Sequence, residues 1–92
     1  MDKPTEALPF YQNALQLELK YLQDDDHKIS VSYFNLSTAY AKLNRLDDAI
    51  DCAEKSVQQL LKSVSPDHSE VKENTDQLEG LRRRKWLQQL YE

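Results

Sequence analysis

Short stretches of this chain recur at a constant offset of 42, and that recurrence constrains the fold more than any other feature. Glu6-Ala7-Leu8 is matched by Asp48-Ala49-Ile50, and Ala14-Leu15 by Ser56-Val57. Ile29 and Val71 keep the same offset, as do Leu36 and Leu78, while Asp26-His27 recurs as Asp67-His68 one residue short of it. A fixed period of this length marks an array of small units, none of which buries its apolar face alone. The apolar residues fall at helical spacing, so each unit reads as a pair of antiparallel helices.

Four helices follow from the pattern. The first is expected over 5–23, with Thr5 as its N-cap and Pro9 within its first turn, where a missing N–H costs little. Leu8, Tyr11, Leu15, Leu19 and Leu22 form its stripe. Asp24-Asp25-Asp26 breaks the pattern and caps a second helix over 27–43, with Ile29, Tyr33, Leu36, Ala39, Tyr40 and Leu43 on one face. Asn44 suits a left-handed helix end. The third helix is expected from Asp47 or Asp48 to about 64, with Ala49, Ile50, Ala53, Val57, Leu60, Leu61 and Val64 inward. Ser65-Pro66 reads as the start of a fourth over 66–91, a Ser cap followed by Pro at the first helical position. Val71, Leu78 and Leu81 share one of its faces. Trp86, Leu87, Leu90 and Tyr91 lie more than a quarter turn away, so the tail either kinks or touches something different. One Gly and three Pro in 92 residues are too few turn formers for an all-β chain. The expected fold class is all-α, in a single domain spanning 1–92.

Tyr33-Phe34-Asn35-Leu36-Ser37-Thr38-Ala39-Tyr40, followed by Lys42, Asn44, Asp47-Asp48-Ala49-Ile50 and Lys55-Ser56-Val57, resembles a tetratricopeptide repeat. That motif has Asn-Leu-Gly in its first helix and Tyr four residues after the Leu. Its second helix opens with an acidic pair, Ala and Ile, and has a small residue seven positions after the Ala. Leu36, Tyr40, Ala49 and Ser56 occupy these places, with Ser37 standing for the usual Gly and Asn44 for the turn Gly. The length of the period and the Asp-His pairs are similar to the longer repeats of kinesin light chains, although Lys28 and Ser69 stand where that type has Pro. The resemblance implies helical hairpins of tetratricopeptide type. Residues 5–23 would be the second helix of a preceding repeat, 27–64 one complete repeat, and 66–91 the first helix of the next, ending the array as a cap. The chain is then expected to be the C-terminal piece of a longer array, with an open apolar face on its first helix.

The resemblance also implies a protein-interaction scaffold, because peptides lie against the first helices of such repeats. The groove positions would be Val31, Phe34, Asn35, Thr38, Ala41 and Lys42, facing Glu73, Asp76, Gln77, Gly80, Arg83 and Arg84. Asn35 would bond a peptide backbone, and Lys42, Arg83 and Arg84 would gather at one end to pair the carboxylates of an acidic peptide. Gly80 would leave room for close approach. Glu73 and Gln77 stand where the chaperone-tail clamp of other members needs basic residues, which disfavours that partner. Trp86, Leu87, Leu90 and Tyr91 would pack as a cap on the third helix or serve as an interface for another chain. The rival reading is structural: a cap that ends a solenoid, or self-association through the open face of the first helix and the Trp86 tail.

No catalytic constellation is legible. His27 and His68 each follow Asp at a helix start, which suits capping and the helix dipole better than metal ligation. The Asp24–Asp26 run lacks the alternating ligands, Gly and terminal Glu of a calcium loop. Cys52, the one cysteine, sits in an apolar helical pattern and reads as packing. A non-enzyme without cofactor or metal is expected. Residues 1–81 hold 8 Lys/Arg against 15 Asp/Glu, and residues 82–92 hold four basic residues and one acidic. An acidic body with a short basic cluster does not suit a nucleic-acid binder. No apolar run nears the roughly 18 residues of a membrane span, and the N-terminus has no signal-peptide core. A cytoplasmic protein with protein or peptide partners is the expectation.

Overall fold

A computed structural model of the chain describes residues 3–91. Four helices follow one another: α1 (Pro4–Tyr21), α2 (His27–Lys42), α3 (Leu46–Leu60) and α4 (Ser69–Leu90). Pro4 and Leu46 open α1 and α3, and His27 and Ser69 open α2 and α4, so both pairs of helix starts keep the offset seen in the sequence. The pairing of α2 with α3 is the most extensive, flanked by α1 on α2 and α4 on α3.

Local chemistry sets most of the boundaries. The Asp26 carboxylate accepts from the Lys28 N–H at 2.9 Å and caps α2. At the other end Asn44 takes φ 59°, which lets the Asn44 N–H reach the Ala41 carbonyl (3.0 Å) and the Arg45 N–H the Tyr40 carbonyl (2.9 Å). These two bonds satisfy carbonyls that the end of the helix leaves free and reverse the chain into α3.

Several boundaries differ from the sequence reading. Lys3, not Thr5, precedes α1 with no side-chain cap, because Pro4 already holds a helical φ at the first position. Pro9 is therefore the sixth helical residue, and its missing N–H leaves the Thr5 carbonyl without its intrahelical donor. The third helix starts one residue early, at Leu46, whose buried side chain anchors the turn, and it ends at Leu60. Leu61 and the residues to Val64 form turns instead, closed in part on the Gln59 and Leu60 carbonyls. Ser65-Pro66 does not open α4. The Ser65 hydroxyl donates to the Asp67 carboxylate at 2.6 Å in a short turn, and His68 caps the helix, its Nδ1 accepting from the Glu70 N–H at 3.2 Å.

The core has two lobes. Leu8, Leu36, Ala39 and Cys52 join α1, α2 and α3, with Tyr11, Leu15 and Leu43 against them. Leu46, Ala49, Ala53, Leu78 and Leu81 join α3 to α4. Tyr40 packs against both lobes, and its hydroxyl accepts from Gln12 of α1 at 2.9 Å. Ser37 is fully buried and donates to the Ala49 carbonyl at 2.8 Å. That short side chain lets α2 and α3 approach closely while keeping its own hydroxyl paired. Cys52 fills space in the first lobe, and burial, with the Asp51 carboxylate nearby, pushes its thiol up to about 11. It stays protonated near neutral pH and is a packing residue.

Candidate protein-interaction surface

The surface of interest lies where α4 runs beside α2. Polar bonds tie the two helices from end to end. His27 Nε2 meets Glu70 Oε2 at 2.7 Å near the N-terminal ends. Gln77 donates to the Thr38 hydroxyl at 3.0 Å midway. Arg84 donates to the Ala41 carbonyl (3.1 Å) and the Asn44 side chain (3.3 Å), and Gln88 to Asn44 (2.9 Å), at the far end.

The basic cluster is divided by the twist of α4. Arg82 and Lys85 point back to α3, where they pair with Glu54 (3.6 Å) and Asp47. Arg83 and Arg84 point the other way and have no carboxylate partner among the described residues. Rotation by 100° per residue produces this split: the two outer cations hold the helix on α3, and the inner two lie on the side of α4 turned away from α3, where Arg84 reaches the end of α2. Beside Arg83 and Arg84 lies a concavity of about 620 Å³ lined by Asn44, Gly80, Leu87, Gln88 and Tyr91 as well. Its walls are mainly apolar. Gly80 is exposed on its floor, and a Cβ placed there would meet no atom within 4 Å. Nothing inside the chain therefore requires glycine at this mid-helix position, where it costs about 1 kcal/mol relative to Ala. A smaller concavity of about 120 Å³ at the opposite end is lined by Ser30, Val31, Phe34, Glu70, Glu73 and Asn74 and carries the opposite charge.

The residues expected to share one groove are thus distributed. Arg83 and Arg84 do meet, together with Leu87 and Tyr91. The Thr38 hydroxyl is occupied by the Phe34 carbonyl (3.1 Å) and Gln77 and belongs to the helix–helix seam. Asn35 is half-buried and Lys42 exposed, and neither lines the large concavity. Trp86, Leu87, Leu90 and Tyr91 do not cap α3: all four remain exposed, Tyr91 at 87%. The face of α4 that meets α3 carries Val71, Leu78, Leu81 and the Lys85 stem, and at helical pitch the tail aromatics fall on the opposite side. Gln77, expected on the groove face, instead fixes the seam, whereas Gln88 carries no sequence signal, since exposed glutamines are common on helices. The spacing Gly80, Arg84, Leu87, Tyr91 does carry one: steps of four, three and four place them on a single stripe.

Among the described residues no three His, Cys, Asp or Glu side chains gather as a metal site requires. No described helix is long and apolar enough to cross a membrane. What remains is a stack of antiparallel helical hairpins, repeated at a fixed interval, whose distinctive chemistry lies on its surface. The profile of the tetratricopeptide repeat matches residues 1–62, which spans α1 through α3, and the chain belongs to that family. No curated protein and no solved structure matches it. The family is one of protein-interaction modules whose repeats are typically non-catalytic.

Proposed function

We propose that this chain binds an acidic peptide segment of a partner protein along the C-terminal half of α4. Arg83 and Arg84 pair the ligand's carboxylates, and a bulky apolar side chain of the ligand settles between Leu87 and Tyr91 over Gly80. The observation that carries the reading is the division of the basic cluster. Arg82 and Lys85 are engaged with α3, whereas Arg83 and Arg84 flank an apolar concavity without a carboxylate of their own. Guanidinium groups without a carboxylate beside apolar walls, one of them (Arg84) already oriented by the Ala41 carbonyl and Asn44, suit a ligand that is anionic and apolar together. Glu70 and Glu73 at the other end set the direction, placing the acidic part of the ligand toward the α4 C-terminus.

The test is titration of a fluorescent peptide carrying several Asp or Glu residues around one Trp, with a Lys-substituted peptide as control. Arg83→Glu, which breaks no bond within the described chain, is expected to weaken binding by about tenfold or more and to leave the melting temperature unchanged. Equal affinity for the acidic and the Lys-substituted peptide, or an unchanged affinity in Arg83→Glu, refutes the assignment.

A further inference from the structure

The opposite end of the molecule exposes a second apolar surface. Phe10, Leu17 and Tyr21 of α1 are each more than half exposed, with half-buried Ala14 beside them. At 100° per residue Phe10, Leu17 and Tyr21 share about 100° of arc with Glu6 and Lys20, which bracket Phe10 and Leu17 along the axis. The repeat offset says what this face is for. Phe10, Ala14 and Leu17 correspond to Cys52, Ser56 and Gln59, which α3 buries. On α1 the same positions are more apolar, and Phe10 and Leu17 are larger than their counterparts and uncovered.

The geometry points to a second copy of this chain as the cover, with two α1 helices packed antiparallel about a twofold axis between Asn13 and Ala14. Phe10 then lies on Leu17 of the second copy, and Glu6 falls within one residue of Lys20 of the second copy. Each charge pair is made twice by the symmetry. A parallel arrangement would set Glu6 on Glu6 and Lys20 on Lys20. Within one helix these two residues are about 21 Å apart along the axis and do not reach each other. Continuation of the array by α4 of another copy fails on charge. Lys72 and Glu79 of α4 stand where α2 buries Ser30 and Ser37, so that packing would desolvate both. A helix of 18 residues offers about 27 Å of contact, which puts the interface at the small end of specific ones and makes the dimer reversible.

Sedimentation of the intact chain over a hundredfold concentration range tests the proposal. A monomer–dimer equilibrium is expected, abolished by Leu17→Glu with the helical circular dichroism unchanged, since Leu17 is 58% exposed. Glu6→Lys and Lys20→Glu are each expected to raise the dissociation constant by about tenfold at low salt, and the double swap to restore it. Only an antiparallel contact between copies yields that rescue. A monomer throughout overturns the proposal, as does failure of the double swap to rescue. So does a dimer that survives Leu17→Glu but is lost in Trp86→Ser, which would move the contact to α4.

Discussion

Replacing Gly80 by Ala is expected to stabilise the protein, and the size of the effect can be worked from the structure. Gly80 is the twelfth of 22 residues in α4, far from either end, so the full interior cost of glycine applies. The added methyl meets no atom within 4 Å and stays in solvent, so neither strain nor new burial enters. What changes is the backbone entropy lost on folding, worth about 0.8–1 kcal/mol in a helix interior. For a domain of this size that corresponds to a rise of about 4–8 °C in melting temperature, read by far-UV circular dichroism. An unchanged or lower melting temperature refutes the claim that nothing within the chain needs a glycine there. Gly80→Leu separates stability from binding. Leucine is nearly as good a helix former as alanine, so the thermal gain should persist, while its side chain fills the concavity floor. Affinity for the acidic peptide is then expected to fall about tenfold, a loss of about 1.4 kcal/mol. A Gly80→Leu variant that binds as well as the parent removes Gly80 from the site.

Two further predictions concern the body of the fold. Leu60 has no exposed surface, and Leu60→Ala is expected to cost about 2–5 kcal/mol in urea denaturation; a loss below about 1 kcal/mol would mean that the end of α3 closes over the cavity. Cys52 makes the protein sensitive to alkali: the thiol ionises near 9 when unfolded but near 11 when folded, so the folded state alone keeps its proton between those values. Stability should therefore be fully present below pH 9 and fall as pH rises toward 11, by up to about 1.4 kcal/mol per unit from this group. Cys52→Ala should show a shallower loss across that window, and identical slopes would contradict the burial argument.

The helices and their pairing were legible because the evidence for them is periodic and local. Asp26 as a cap and Asn44 at a positive φ depend on chemistry within three or four residues, and both stand as read. The misread boundaries have local competitors. Pro66 offered a helical φ, but the Ser65–Asp67 bond closed a turn and passed the capping role to His68. Arg83 and Arg84 were legible as candidates, because a basic run in an acidic chain stands out. Thr38 was not separable from them in sequence, since only its distance to Gln77, far along the chain, shows that its hydroxyl is already taken.

By itself the sequence determined an all-α chain of antiparallel hairpins repeated at a constant interval, and the small residues, Ser37, Ala49 and Ser56, at which those hairpins close. Each is encoded in spacing and side-chain size along one stretch of chain. Only the tertiary structure decided which of four consecutive cations meet a carboxylate and which do not, and that the Trp86 tail stays outward instead of capping α3. It likewise decided that α1 presents Phe10, Leu17 and Tyr21 uncovered. These depend on how α4 is rotated against α3 and on what lies opposite each face. Such relations join residues a whole repeat apart, and no local pattern carries them.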